Sequence, residues 1–303
     1  MQQPGKESLR QPFLAEENTE PAVEPAEDEL PKPAVRGGKR TRVLIVPPPG
    51  LLSVLLAEPA IRAFGQAEAS SREITICHEY ADLFIGHPGV RGLAYGDAGE
   101  LNESFDKVIY LRGEPQKGAA MDWMFDAAGQ LGVRLEHQTP QIILNSFDFV
   151  RTQRFGLSKV PRPRVVLAPL SDSAESWLAA HSVELAQLLK QKLGAGLVYA
   201  GGGIGPAAEG AKDLRGKLTA REIAAVLQQC DLLISEEEET AALAAAIHLP
   251  IVYLGKNSWD CWPMKEGSSI ISICPTGPED VLGAVARLNP AWNAGRPTEG
   301  TVQ

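Results

Sequence analysis

Short apolar runs alternate with longer amphipathic segments through most of the chain. In the first half, the runs Arg42–Pro49, Glu73–Cys77 and a third that begins at Lys107 are rich in β-branched residues. Runs of this length between turn residues predict buried strands. The segments Val54–Phe64 and Glu79–Ile85, which lie between the runs, predict helices. Strands that alternate with helices at this spacing indicate βαβ units and a parallel sheet.

The second half of the chain repeats this alternation. Its strands and helices are predicted, in chain order, at Val165–Leu170, Ser176–Leu193, 196–203 (GLVYAGGG), Thr219–Gln229, 231–235 (DLLIS), Glu237–His248, 250–255 (PIVYLG) and Pro278–Leu288. Two successive Rossmann-like halves are the simplest account of this order. The predicted fold class is therefore α/β with parallel sheets.

Changes in composition divide the chain into five parts. Residues 1–38 are rich in Pro and Glu and have too few apolar side chains to offset the entropy of ordering, which predicts a disordered acidic arm. Residues 39–150 and 165–290 are the two predicted Rossmann-like domains. The segment 151–164, with two prolines and four arginines, is the predicted linker, and 291–303 form a tail.

Charge and cysteine usage narrow the function classes. The chain has 303 residues and a formal net charge of -9, and no basic stripe of the kind that neutralises phosphate backbones, so nucleic acid is not an expected partner.

No apolar run is long enough to span a bilayer and the N-terminus does not resemble a secretory signal, which predicts a cytoplasmic location. The four cysteines show no CxxC pairing, as expected for reduced thiols in packed positions. The acidic arm is a candidate contact for a protein partner.

Several segments in a fixed order resemble one known family. The first half contains VLLAEPAIRAF (54–64), ITICHEYADLFIGHPGVRGL (74–93) and FDKVIYLRG (105–113), and the second half contains DLRGKLTAREIAAVLQQCDLLIS (213–235) and LAAAIHLPIVYLG (243–255). Their order and spacing resemble glycosyltransferase family 9, the ADP-heptose:lipopolysaccharide heptosyltransferases. The resemblance implies the two-domain GT-B fold. It also implies a shortened N-terminal domain, because almost nothing separates 111–116 from 121–133, where the family carries a further strand and helix.

The position of the family's general base is changed. In the family a Gly-Asp pair opens the first helix, and its Asp is the proposed base that takes the proton of the acceptor hydroxyl. Aligned through Pro59-Ala60, that pair falls on Leu52-Ser53. A serine without a partner cannot act as this base, so we interpret Ser53 as a helix N-cap. Glu58, about one turn further on, is the only nearby carboxylate that could replace the base.

The donor-site motif of the family is changed as well. The motif DSGpmH, whose helix N-terminus approaches the nucleotide-sugar diphosphate, aligns with the segment that begins Glu237-Glu238-Glu239. With Glu236, four carboxylates would face the anion, and each like-charge contact at about 4 Å costs about 1 to 4 kcal/mol. We therefore expect that an ADP-sugar does not bind in the usual pose. We interpret the glutamates as a solvated first helical turn rather than a divalent-metal site.

A third difference concerns the residue that neutralises donor phosphate. The family has a basic residue before a tryptophan in the turn after the first strand of the second half. This chain has Glu175 and Ser176 before Trp177, so a neutral or negative group replaces the positive charge. We interpret Trp177 as helix packing rather than a stacking platform.

Other cleft positions of the family survive mainly as backbone features. By resemblance, these positions are Gly50, Gly201, Gly202, Gly203, Gly216 and Lys217. A glycine run after a strand could cradle phosphate, although it also forms ordinary tight turns. Lys217 could reach a ligand or could lie on the surface.

Two functions remain as alternatives after these comparisons. The first is a non-catalytic member of the family that serves as a binding or assembly subunit, without cofactor or metal. The alternative is an active glycosyltransferase that uses a nucleotide-sugar donor and altered residues, such as Glu58 or a glutamate of the 236–239 run. A dinucleotide-dependent oxidoreductase is not expected, because no strand is followed by GxGxxG with an acidic residue downstream.

Overall fold

The structure is a computed structural model. It describes residues 40–67, 69–116, 119–170, 176–203, 205–255, 262–263 and 269–292. The predicted acidic arm at 1–38 and nearly all of the predicted tail lie outside the described residues. Lys39–Gln303 form one compact unit.

The first half forms a parallel sheet of four strands. These are β1 (Thr41–Val46), β2 (Arg72–Cys77), β3 (Gly92–Ala94) and β4 (Lys107–Tyr110), in the spatial order β3-β2-β1-β4. The helices of this half are α1 (Leu51–Ala67), the short α2 (Ala98–Leu101) and α3 (Ala120–Leu131). Val43, Leu44 and Ile45 of β1 are buried and Val46 is partly buried, as the unbroken VLIV run predicts.

The second half forms a parallel sheet of six strands. These are β5 (Arg164–Ala168), β6 (Gly196–Tyr199), β7 (Lys212–Asp213), β8 (Leu232–Ser235), β9 (Ile251–Leu254) and β10 (Ile270–Ile273), in the spatial order β10-β9-β8-β5-β6-β7. The helices that accompany this sheet are α4 (Ser146–Gln153), α5 (Trp177–Leu193), α6 (Ala220–Leu227), α7 (Glu238–Ala246) and α8 (Pro278–Leu288). The α/β class with parallel sheets is confirmed.

Local signals in the sequence explain where the helices of the second half begin and end. The Ser176 hydroxyl accepts a hydrogen bond from the backbone N–H of Ala179 and caps α5, and Gly194, with φ of 66°, ends it. Thr219 and Glu222 form a capping box at the start of α6. These polar residues fix the starts of α5 and α6, and the start of α6 lines the cavity described below.

The structure adds elements that the hydrophobic pattern did not predict. The strands β3, β7 and β10 and the helices α2, α3 and α4 were not predicted. The helix predicted at Glu79–Ile85 is a 3₁₀ turn, Ala81–Phe84. The helix α4 ends at Gln153, inside the predicted linker, and it packs against α6 of the second half. The predicted domain boundaries stay a prediction.

The two halves share one apolar core. It includes Ile45 and Ala57 of the first half together with Val166 and Leu243 of the second, and α1 packs directly against α7. Burial of apolar side chains is the main favourable contribution to folding, so a shared core resists separation of the halves.

A buried arginine also joins the two halves. Arg221 of α6 donates hydrogen bonds to both carboxylate oxygens of Asp148 at 2.8 Å. Nη1 of Arg221 donates to the Asp82 carbonyl of the 3₁₀ turn at 2.9 Å, and Nη2, which also bonds to Asp148, donates to the Ile143 carbonyl of the connecting segment at 2.8 Å. One side chain therefore ties α6, α4 and the first half together.

No helix among the described residues combines the length and apolar character needed to cross a bilayer.

Candidate functional site

The strand orders locate the crevice in which α/β folds bind ligands. In each sheet the order reverses beside the first strand of that half, between β1 and β4 and between β5 and β8. Ligands of open α/β sheets bind at such switch points, beyond the carboxyl ends of the strands. A cavity of about 470 Å³ lies beyond the carboxyl ends of both sheets and is lined by residues that follow β1, β2 and β3 of the first half and β6, β7 and β8 of the second.

The cavity is acidic. Glu79 and Asp82 of the first half and Glu237 and Glu239 of the second contribute four carboxyl groups to its wall. No Lys, Arg or His occurs among its described lining residues. An anionic ligand would meet like charges on both sides, and no described lining residue would compensate them.

The pKa directions of the wall residues follow from this environment. Burial raises the pKa of Glu239, and the nearby Glu237, Glu79 and Glu238 raise it further. Burial also raises the pKa of Asp82, against the opposing effect of nearby arginines. The pKa of Tyr80 is raised by burial and then by Glu239 and Glu79. The cavity therefore disfavours every further negative charge.

Neutralising Glu239 should stabilise the fold in a pH-dependent way. A carboxyl group whose pKa is raised in the folded state destabilises the fold when it is charged. This destabilisation is complete at a pH above the folded-state pKa and absent at a pH below the unfolded-state pKa, which is about 4.3 for Glu. We expect Glu239→Gln to raise the free energy of unfolding by about 0.5 kcal/mol at pH 7, after allowance for solvent screening. Urea unfolding at pH 7 and pH 3.5 measures this gain. Glu184→Gln, at an exposed position of α5 outside the cavity, is the control. A gain that persists at pH 3.5 would contradict the explanation.

One carboxylate of the glutamate run occupies the N-terminus of α5. Glu236 is buried and accepts hydrogen bonds from the Leu178 backbone N–H, at 3.2 Å, and from the Ser176 hydroxyl. The N–H groups of a helix N-terminus are ready donors to a phosphate or another anion. In α5, the Glu236 carboxylate accepts the hydrogen bonds that a bound anion would otherwise accept.

A second carboxylate occupies the glycine turn after β6. Glu237 accepts a hydrogen bond from the backbone N–H of Gly202 at 2.9 Å and another from the Thr240 hydroxyl. Gly201 has φ of 86°, and a Cβ atom there would collide with the Glu237 carboxylate. The turn is thus shaped around the Glu237 carboxylate.

These contacts correct the interpretation of the glutamate run as a solvated first helical turn. Glu238 and Glu239 do lie in the first turn of α7, but Glu237 is its N-cap residue and Glu236 precedes the helix. The interpretation is wrong for Glu236, which is buried. The physical reason is non-local, because the donors at α5 and at the β6 turn are distant in sequence.

The residues considered for the general base lie outside the cavity wall. Ser53 was expected to cap α1, but the helix begins at Leu51, so Ser53 is buried in its first turn and its hydroxyl donates to the Pro49 carbonyl at 3.0 Å. Glu58 is buried and contacts the His87 ring at 2.9 Å and the Gln141 backbone N–H at 3.0 Å. Neither residue lines the cavity.

The glycine positions taken from the resemblance have different roles in the structure. Gly50 donates its N–H to Glu79 at 3.3 Å, and Gly216 donates to the Gly201 carbonyl at 3.0 Å. A side chain at Gly203 would collide with the Pro169 carbonyl, so that glycine permits close packing. Of all the glycine positions, only Gly201 and Gly202 line the cavity.

The basic and aromatic positions do not reach the cavity. The ammonium group of Lys217 donates to the Asp213 carbonyl at 2.8 Å, and Lys217 is not among the lining residues. The indole of Trp177 stacks on the His181 ring, with 4.4 Å between ring centroids. Glu175 lies outside the described residues.

Several wall residues were missed by the sequence reasoning. Glu79, Tyr80, Asp82 and Tyr95 line the first-half side of the cavity. The first three follow β2 directly, and the carboxyl end of a strand in a parallel sheet is a signal that could have identified them. Among the described residues, no group of three His, Cys, Asp or Glu side chains is arranged to hold a metal ion.

The cysteines are thiols in both buried and exposed positions. Cys77 and Cys230 are buried, and burial raises the pKa of Cys230 to about 12. Cys274 is exposed, so the expectation of packed cysteines is wrong for this residue. Cys261 lies outside the described residues.

Comparison with solved structures identifies similar folds. A family 9 glycosyltransferase from Veillonella parvula shares 15% sequence identity over 82% of this chain and 97% of its own, with a TM-score of 0.64. The E. coli ADP-heptose lipopolysaccharide heptosyltransferase II shares 14% over 82% of this chain and 98% of its own, with a TM-score of 0.63. An E. coli heptosyltransferase solved with ADP shares 14% sequence identity over 82% of this chain and 100% of its own, with a TM-score of 0.57.

The resemblance stated from the sequence is therefore confirmed at the level of the fold. No protein-family model matches the sequence. No curated protein sequence matches it either.

Proposed function

We propose that this chain is a non-catalytic protein built on the heptosyltransferase scaffold, and that it serves as a binding or assembly subunit. The observation that carries the proposal is the occupation of the anion donors by Glu236 and Glu237. Folds of this type bind phosphate through helix N-termini and glycine turns, and here both kinds of donor already bond to carboxylates of the chain.

The cost of displacing these carboxylates supports the proposal. A diphosphate would have to break hydrogen bonds to charged groups, each of which contributes about 1.5–3 kcal/mol. At the glycine turn it would then lie beside the released Glu237 carboxylate and the acidic cavity wall, where no described lining residue is cationic. At the N-terminus of α5 it would leave the buried Glu236 carboxylate without its donors. The same site is electrostatically suited to a positively charged group, not to a nucleotide.

In the alternative, an active glycosyltransferase with altered residues, two of the candidate bases are already held by contacts within the chain, while Glu239 of the same run lines the cavity. Glu58 is held in a buried network with His87 and the Gln141 backbone, outside the cavity wall. Glu237 does line the cavity, but its carboxylate is already bonded to Gly202 and Thr240.

We also propose a cytoplasmic location and a protein partner, in keeping with the acidic composition of the chain.

Calorimetric titration of the full chain with ADP-sugars and UDP-sugars tests the proposal. We expect no heat of binding up to about 1 mM ligand, which corresponds to a binding free energy weaker than about -4 kcal/mol. A dissociation constant in the micromolar range for either class of sugar nucleotide would overturn it.

A further inference from the structure

An unusual strip of apolar side chains lies on the outer face of α4. Phe147 is 77% exposed and Val150 is 58% exposed, and their spacing of three residues places them on one face of the helix. Ile85 and Ile143 are also exposed, and their carbonyl groups bond to the same nitrogen of Arg221, so they are neighbours. We name Ile85, Ile143, Phe147 and Val150 the α4 patch. Adjacent exposed apolar side chains of this size mark interaction sites in many proteins.

Two arginines continue the strip along the same face. Arg151 and Arg154 follow Phe147 at helical spacings of four and seven residues, and their side chains are 60% and 61% exposed. Each uses one guanidinium nitrogen to contact the same oxygen of Glu222, at 3.4 and 2.8 Å. A guanidinium has five N–H donors, so most of the donors on this edge point to solvent. Asp82 and Asp148 also lie close enough to Arg151 to interact with its charge. This edge therefore offers a partner the open donors of two exposed arginines rather than a large net positive charge.

The patch is held in a fixed shape before any partner binds. Asn145 and Asp148 form a capping box at the start of α4, and Asp148 is bonded to the buried Arg221. Near the end of the helix, the Thr152 hydroxyl accepts a hydrogen bond from the Gln229 side chain at 2.9 Å. A surface that is already ordered loses less entropy when it binds.

We propose that the α4 patch is the docking site for an acidic amphipathic segment of a partner protein. Apolar side chains of such a segment would cover Phe147 and Val150, and its carboxylates would take the open donors of Arg151 and Arg154 in charge-assisted hydrogen bonds. The inference rests on the proposed role as a binding subunit, and it names the surface through which the partner would bind.

Charge disfavours the other occupants of this surface. The chain carries a net charge of -9, so an extended anionic surface such as a membrane or a nucleic acid would be repelled by most of the molecule. A second copy docked through the same face about a two-fold axis would meet the open donors of Arg151 and Arg154 with apolar or cationic side chains of the α4 patch and its arginines, and not with carboxylates. A short acidic segment avoids both penalties.

Fluorescence anisotropy of the full chain with three labelled peptides tests the inference. The first peptide is a designed helix with Leu and Phe at positions i, i+3 and i+4 and Glu beside them, the second has Gln for each Glu, and the third has Lys. We expect the acidic peptide to bind with a dissociation constant of about 10–100 μM, in the range of weak transient contacts. The Gln peptide should bind at least about tenfold more weakly, and the Lys peptide should not bind.

Surface variants show whether binding occurs at the patch. Phe147→Ser, Arg151→Glu and Arg154→Glu should each weaken binding of the acidic peptide at least about tenfold. Phe125→Ser, at another exposed aromatic on α3, should leave it unchanged. Circular dichroism confirms that the variants fold.

Four results would overturn the inference: equal binding of the acidic and Gln peptides, no effect of Phe147→Ser, self-association abolished by Phe147→Ser, or binding to phosphatidylserine vesicles through this patch. None of these results depends on sugar nucleotides, so failure here is distinguishable from failure of the non-catalytic proposal.

Discussion

Replacing Arg221 by methionine will lower the free energy of unfolding by about 3–5 kcal/mol, the usual cost of leaving one member of a buried ion pair without its partner. Arg221 is only 2% exposed and holds the Asp148 carboxylate through two hydrogen bonds of 2.8 Å. The methionine would also leave the carbonyl groups of Asp82 and Ile143 without their donor. Urea unfolding at pH 7 measures the change.

An exposed ion pair provides the matched control. Arg42 of β1 contacts Asp106 at 3.6 Å, and its side chain is 45% exposed. Arg42→Met should therefore cost less than about 1 kcal/mol. A loss of less than about 1 kcal/mol in Arg221→Met as well would show that Arg221 does not hold the halves together.

The pH dependence of stability gives a second readout of the same contact. Burial alone would raise the pKa of Asp148, but the hydrogen bonds from Arg221 and from the Asn145 backbone lower it overall. The stability that Asp148 contributes is therefore present above its unfolded pKa, about 3.9, and is lost as the pH falls through the lowered folded value. In Asp148→Asn, this acid-dependent part of the unfolding free energy should disappear.

Replacing Glu236 by glutamine will lower the free energy of unfolding by about 2 kcal/mol, because hydrogen bonds to a charged group contribute about 1.5–3 kcal/mol. The Glu236 carboxylate accepts from the Leu178 backbone and the Ser176 hydroxyl at the N-terminus of α5. Glutamine keeps the shape of the side chain but loses the charge that interacts favourably with the helix dipole. Thermal and urea unfolding both measure the loss.

Glu238 is the matched control for Glu236. It lies in the first turn of α7, and no side-chain hydrogen bond of Glu238 is formed within the described part of the chain. Glu238→Gln should change stability by less than about 0.5 kcal/mol. Equal effects of the two substitutions would contradict the assignment of Glu236 as an internal substitute for a bound anion.

The effect of inorganic phosphate on the melting temperature distinguishes alanine variants of Glu236 and Glu238. In Glu236→Ala the donors at the start of α5 lose their partner, so added phosphate should raise the melting temperature more than it does for the native chain. The same phosphate concentration should act equally on the native chain and on Glu238→Ala. No phosphate effect in Glu236→Ala would indicate that these donors do not bind anions.

The regular part of the fold could be predicted from local patterns. The apolar run that became β1 and the capping residues Ser176 and Thr219 depend on neighbours within a few residues, so the sequence carries their signals directly. Short edge strands such as β3 and β7 have too few residues for a period to be visible. They depend on pairing with β2 and β6.

The contacts that define the candidate site could not be predicted in this way. Glu236 reaches Leu178 across 58 positions and Arg221 reaches Asp148 across 73, so neither contact leaves a local signal. Alignment with a family placed the glutamates at the donor site but could not show that Glu236 turns inward. Ser53 illustrates the same limit, because a start of α1 three residues earlier than predicted changes a cap into a buried first-turn residue.

The most direct test of the central claim is a ¹H–¹⁵N spectrum of the full chain during titration with an ADP-sugar, followed at the amide resonances of Gly202 and Leu178. Both amides already donate to carboxylates of the chain, at 2.9 and 3.2 Å. The account predicts that neither resonance shifts up to about 1 mM ligand, in line with the calorimetric expectation. A saturable shift of both resonances at micromolar ligand would show that the diphosphate displaces Glu236 and Glu237, and would contradict the account.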